Sequence, residues 1–142
     1  LAIRFFTEDI RFNLPNKRIL KTWIQNVITS HNKICGDVNF IFTSNNQILE
    51  INKKYLQHDY FTDIITFNYN QEVIISGDIY ISIDTVKDNA LNFSTTFLNE
   101  IHRVIIHGIL HLIGYNDKST TEQEQMRQAE DRSLVLLEEI NK

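Results

Sequence analysis

The stretch HGILHLIGYND, residues 107–117, sets His107 and His111 one helical turn apart, stops the turn at Gly114 and then offers the carboxylate of Asp117. Histidines at i and i+4 sit about 40° apart around a helix, so both imidazoles can face one ion. Gly114 lets the chain reverse soon after His111, and that reversal could carry Asp117 back over the open end of the helix. Two imidazoles and one carboxylate would make a three-ligand face with room for water, the arrangement of catalytic rather than structural zinc. The residue after His107 is Gly108, where a helical metalloprotease carries its glutamate, so the spacing does not point to peptide hydrolysis. Gly108 is expected instead to leave room at the backbone for the ion or its substrate. On spacing alone two plainer readings stay open. A histidine pair on a buried helix can be satisfied by core hydrogen bonds, and Asn-Asp after a glycine is ordinary turn chemistry. His102 lies about 140° around the helix from His107 and is expected in the core or behind the ligands.

Those side chains need a rigid support. FLNEIHRVIIHGILHLIG reads as a strongly apolar, buried helix with Gly114 as its stop. Before it, AIRFF predicts a first strand, and Pro15 stands near the start of a helix whose apolar face is Ile19, Leu20, Trp23, Ile24, Val27 and Ile28. VNFIFTS predicts a second strand, and Ser44 and Asn45 are placed to cap a short helix carrying Ile48, Leu49, Ile51 and Tyr55. TDIITFNYN and EVIISGDIYISID predict two further strands around a polar turn at Asn70 and Gln71, the fourth strand entered at Gly77. Asp84 is expected to cap a short helix through Val86 and Ala90. Thr121 and Glu124 match a capping box for a last helix lined by Met126, Ala129, Ser133, Leu136, Leu137 and Ile140. The order implies an α+β fold in one domain, residues 1–142, with a small mixed sheet packed against helices.

Composition narrows the function. A chain of 142 residues with 42% hydrophobic and 23% charged residues is neither disordered nor fibrous. The one cysteine, Cys35, leaves histidine and carboxylate to bind any metal and fits a reducing cytoplasm. No apolar run reaches the roughly 18 to 20 residues of a membrane span, and LAIRFFTED does not read as a signal peptide. A net charge of −4 argues against a general nucleic-acid coat, so an RNA substrate would need a local basic patch. Arg4, Arg11, Lys17, Arg18 and Lys21 could form one, or simply a solvated face. The acidic last helix, with Glu122, Glu124, Glu130, Glu138 and Glu139, carries much of the negative charge.

HGILHLIGYND resembles the signature of the YbeY family of metal-dependent endoribonucleases, H-G-x-L-H-L-x-G-Y-x-H or close to it. INKKYLQHDYFTDIITF, residues 51–67, is similar to the family segment L-N-x-x-Y-R-x-x-D-x-x-T-D-V-L-S-F, and SGDIYIS, residues 76–82, to its L-G-D-I-x-I-S strand. The resemblance implies a zincin-like helix on which His107, His111 and Asp117 hold one Zn2+, with Ni2+ or Mn2+ as other occupants. It implies hydrolysis of phosphodiesters in single-stranded or ribosomal RNA during ribosomal RNA maturation and ribosome quality control in the cytoplasm. The partners it implies are the small ribosomal subunit and its proteins, with no membrane and no DNA. His58, Asp59 and Asp63 become candidates to help activate water, although Asp59 and Asp63 also read as turn and strand-start residues and His58 as exposed. Two positions depart from the pattern. Asp117 stands where the family usually has a third histidine, and carboxylate is an accepted zinc ligand. Leu56 stands where the family usually has an arginine resembling a phosphate contact, so Lys53, Lys54 or Arg103 would have to replace that cation. The loss favours a competing function, a ribosome-assembly or RNA-binding factor whose metal is mainly structural.

Overall fold

Runs of β-branched and aromatic residues build the sheet on which the helices rest. The computed structural model describes residues 2–56 and 62–142. Its strands are β1 (Ile3–Thr7), β2 (Ile34–Thr43), β3 (Ile64–Asn68) and β4 (Ile74–Ser82), in the order β1-β2-β4-β3. β1 and β4 both run parallel to β2, and β3 pairs antiparallel with β4. The sheet is therefore mixed, as expected, with β3 at one edge. Gly77 is not the entry to β4 but an interior residue. A Cβ there would stand 2.5 Å from the Phe67 carbonyl oxygen, so the close approach of β3 explains the glycine.

The helices are α1 (Lys17–Ser30), α2 (Asn45–Leu56), α3 (Ile83–Asn92), α4 (Phe97–Ile113) and α5 (Thr120–Ile140). Alternation along β4 divides them between two faces. Ile75, Ile79 and Ile81 belong to the main core with Trp23, Phe40, Phe42, Ile105 and Ile109, which joins α1, α4 and α5 to the sheet. Tyr80 points the other way and packs with Phe67 against a smaller cluster of Ile48, Ile51 and Ile65 beneath α2. α4 is buried along most of its length, with Ile101, Ile105, Ile106, Ile109 and Leu110 fully inaccessible. Each such side chain contributes about 1.5–3 kcal/mol relative to exposure, so this helix is a fixed platform rather than a mobile arm.

Helix ends follow local chemistry. Thr96 caps α4 by accepting from the Asn99 N–H at 3.1 Å. Gly114 ends it at φ 128°, and the Gly114 and Tyr115 N–H groups donate to the Leu110 carbonyl at 3.0 and 2.9 Å. The capping box of α5 is formed by Ser119 and Glu122, two residues earlier than Thr121 and Glu124. Ser82 caps α3, and Asp84 sits in its first turn, where its carboxylate accepts from the Asn45 N–H at 3.0 Å. On α5, Met126, Ala129, Ser133 and Leu137 are buried as expected, while Leu136 and Ile140 are half-buried. Among the described residues, no helix is long and apolar enough to cross a membrane.

Candidate metal centre

His107 and His111 leave α4 with their ring centroids 4.5 Å apart and their planes at 84°. The reversal at Gly114 returns Asp117 to them. Its Oδ2 lies 3.3 Å from His107 Nε2 and 3.2 Å from His111 Nε2. One ligand atom from each of the three residues lies within 4.8 Å of the others, a group that could hold a metal ion.

The remaining ring nitrogens show whether the donors fit that task. His107 Nδ1 lies 2.6 Å from Glu130 Oε2, and His111 Nδ1 lies 3.0 Å from the Tyr115 carbonyl oxygen. Each Nδ1 thus faces an acceptor, which favours the proton there and leaves the Nε2 lone pair for the space shared with Asp117. Two imidazoles and one carboxylate suit zinc, and their nitrogen and oxygen atoms also suit nickel or manganese.

Charge points the same way. Burial pushes the Asp63 carboxyl up; His107 partly offsets this, and the charges of Asp117 and Glu130 add to it. Burial would lower the His107 pKa, but the Glu130 hydrogen bond and the charges of Glu130, Asp63 and Asp117 outweigh it, and the pKa rises. Burial would raise that of Glu130, but hydrogen bonds and charge from His107 and Arg103 hold it below the ordinary value. Three carboxylates converge on one imidazole, a field that a divalent cation would relieve.

The other candidate residues are placed differently. His58 and Asp59 lie outside the described residues. Asp63 immediately precedes β3; its carbonyl accepts from the Ser82 N–H at 2.9 Å, so it is a strand-start residue that also faces His107 electrostatically. His102 packs edge-on to Trp23, with centroids 6.1 Å apart, and takes no part in the cluster. Arg103, a candidate for the cation missing at Leu56, has its guanidinium bonded to Glu130 and Asp131, each at 2.8 Å. Lys54 Nζ lies 5.2 Å from the Tyr55 ring centroid, in the last turn of α2 with Lys53. Arg4 pairs loosely with Asp37 at 3.8 Å, and Lys17 donates to Asn13, so these members of the basic group are engaged with neighbours on the surface. Gly108 does not open space for an ion: a Cβ there would meet Ile64 and Ile79, each at 2.9 Å, on the sheet side of α4.

Two partners of the histidines had no signal in the spacing. Glu130 reads as one more charge of an acidic helix, and it reaches His107 only through the docking of α5 on α4. The Tyr115 carbonyl reaches His111 because the chain turns at Gly114, and Tyr115 is itself steadied by its hydroxyl, 3.2 Å from His31 Nε2.

Known proteins share this arrangement of chain. The family model described as endoribonuclease YbeY matches residues 4–138. Endoribonuclease YbeY of Parabacteroides distasonis is 49% identical over 139 residues, covering 98% of each chain. The protein of the same name from Amoebophilus asiaticus is 50% identical over 140 residues, covering 98% of this chain and 95% of its own. A protein of Thermotoga maritima solved in solution is 29% identical, with a TM-score of 0.66 over 96% of this chain and 89% of that one. With a match along nearly its whole length, and with two histidines and an aspartate gathered at the end of its central helix, the chain belongs to the endoribonuclease YbeY family.

Proposed function

We propose that the protein is a metal-dependent endoribonuclease that hydrolyses phosphodiesters of single-stranded RNA, with His107, His111 and Asp117 holding one divalent ion, zinc before nickel or manganese. The observation that carries this reading is the convergence of the three donor atoms within 4.8 Å at the end of α4, in a chain whose relatives bear the name endoribonuclease. When bound, the ion would supply Lewis-acid stabilisation of charge developing on the phosphoryl oxygens and on attacking water. The chain's own residues do the rest. Glu130 and the Tyr115 carbonyl hold the two imidazoles with Nε2 facing Asp117. Asp63, whose carboxyl is raised by burial beside His107, is suited to accept a proton from water. Gly108 faces the sheet, so no side chain from the protease position competes for that role. The substrate we infer is ribosomal RNA, met on or near the small ribosomal subunit in the cytoplasm, in rRNA maturation and quality control.

Leu56 favours a second reading. It is 39% exposed at the end of α2, where the family pattern has arginine, and an alkyl side chain cannot bind phosphate. On that reading the protein binds RNA or the ribosome with a structural metal and little cleavage. Zinc-loaded protein offered single-stranded RNA separates the two. Cleavage by the wild type that is lost in His111→Ala and Asp117→Ala supports the nuclease. Equal cleavage by all three rejects the metal centre, and binding of ribosomal subunits without cleavage by any of them selects the assembly role.

A further inference from the structure

Glu130 is only 5% exposed, and its two oxygens have separate duties. Oε1 accepts from Arg103 Nη1 at 2.8 Å, and Oε2 lies 2.6 Å from His107 Nδ1. Arg103 is fixed in turn, since its Nη2 donates to Asp131 at 2.8 Å. Arg103 and His107 lie one turn apart on α4, whereas Glu130 and Asp131 are neighbours on α5. One guanidinium therefore docks α5 on α4 and pins the plane of the carboxylate that touches the imidazole. A buried carboxylate held by two donors has no freedom to turn away from either.

We propose that Glu130 is the positioning residue of His107: by accepting the Nδ1 proton it fixes the tautomer that aims the Nε2 lone pair at Asp117, and it strengthens that nitrogen as a metal donor. Arg103 acts through Glu130 by holding the carboxylate in plane. The strengthening follows from charge, because an imidazole that donates to a carboxylate is a better base than one that donates to a carbonyl. His111, whose Nδ1 faces the neutral Tyr115 carbonyl, provides an internal comparison within the same centre. The donor-strength half of this assignment rests on the metal reading above; the tautomer half does not.

The test uses the full chain labelled with 15N at histidine, at a pH where the imidazoles are neutral, with two-bond 1H–15N correlations reporting each tautomer. Wild type is expected to show His107 and His111 both protonated at Nδ1. Glu130→Ala should shift His107 toward the Nε2-protonated form and leave His111 unchanged. Glu130→Gln preserves packing but has one acceptor oxygen for two donors: with that oxygen facing Arg103, which can only donate, its NH2 faces His107 Nδ1 and should likewise shift His107 toward the Nε2-protonated form. Competition with a chromophoric zinc chelator should then show affinity lowered about 10- to 100-fold in both variants. A folded Glu130→Ala protein with an unchanged His107 tautomer overturns the assignment. So does wild-type zinc affinity in both variants. If wild type binds no zinc while His107 changes tautomer as expected, the metal reading fails and the positioning of His107 by Glu130 stands.

Discussion

Gly108 lies directly against Ile79: a Cβ added to the glycine would stand 2.9 Å from the Ile79 Cγ2, and equally close to the Ile64 Cδ1. The residue is therefore required by the packing of α4 on β3 and β4. Gly108→Ala sets two effects against each other. Helix propensity would favour alanine by about 0.8–1.0 kcal/mol, and overpacking of a tight core costs about 1–3 kcal/mol. The clash should win, with a net loss of about 1 kcal/mol in urea unfolding. Gly108→Glu should lose more and gain no hydrolytic base, because its carboxylate would be driven toward the sheet. Equal or higher stability of Gly108→Ala would show that Ile64 and Ile79 yield freely.

The turn that returns Asp117 to the histidines is anchored by Ser119. The Ser119 hydroxyl accepts from the Glu122 N–H at 3.1 Å, and the Glu122 side chain accepts from the Ser119 N–H at 3.0 Å. Ser119→Ala should cost about 1 kcal/mol of stability, a typical loss for a helix cap. Thr121→Ala, inside the helix, should stay within about 0.5 kcal/mol of wild type. Chemical denaturation of the two variants side by side decides between the two possible boxes.

That misplacement shows how the sequence could and could not be read. S-T-T-E and T-E-Q-E both match the capping pattern; only the extended backbone at Ser119, φ −91° and ψ 163°, chooses between them. The spacing of His107, His111 and Gly114 was legible because a helix converts sequence distance directly into angle, and the helix stop is a local property of glycine. The convergence of Asp117 was legible only as a possibility that the family resemblance strengthened. Glu130 was not legible, since its distance from His107 depends on how α5 docks on α4. The strand order was equally hidden: nothing local in AIRFF or VNFIFTS says that β1 pairs with β2 in parallel, or that β4 inserts between β2 and β3. The direction in which Gly108 faces likewise depends on the sheet beneath it.

Asp63 should give stability and activity opposite signs if it takes the proton from water. Burial raises its carboxyl pKa, so the folded state holds a proton more tightly than the unfolded state does. Stability of the metal-free protein must then fall as pH rises from the unfolded value, about 3.9, through the raised folded value. Asp63→Asn removes that dependence. Thermal melts against pH should show the metal-free variant more stable than wild type at neutral pH, with the gap closing as pH falls below about 4. RNA cleavage by the same variant should drop by about 10²- to 10⁴-fold if Asp63 takes the proton from water. A variant that is stabilised yet cleaves normally would leave Asp63 as a strand-start residue alone.

Leu56 ends α2, one residue after Tyr55 and in the same turn as Lys53 and Lys54. A cation there would meet the negative end of the helix dipole, and the side chain is already exposed, so Leu56→Arg should change stability by no more than about 0.5 kcal/mol. Its effect should appear in RNA binding. Each phosphate neutralised on a single strand steepens the plot of log K against log salt by about 0.7, so one new contact should add about that much to the slope. If the contact holds ground state and transition state alike, KM should fall while kcat stays constant; if it forms only as charge develops on the phosphoryl group, kcat should rise instead. Titrations of single-stranded RNA at several salt concentrations, paired with cleavage rates, separate these cases. An unchanged slope would place residue 56 off the path of the strand, and the departure from the family arginine would then carry no cost for phosphate binding.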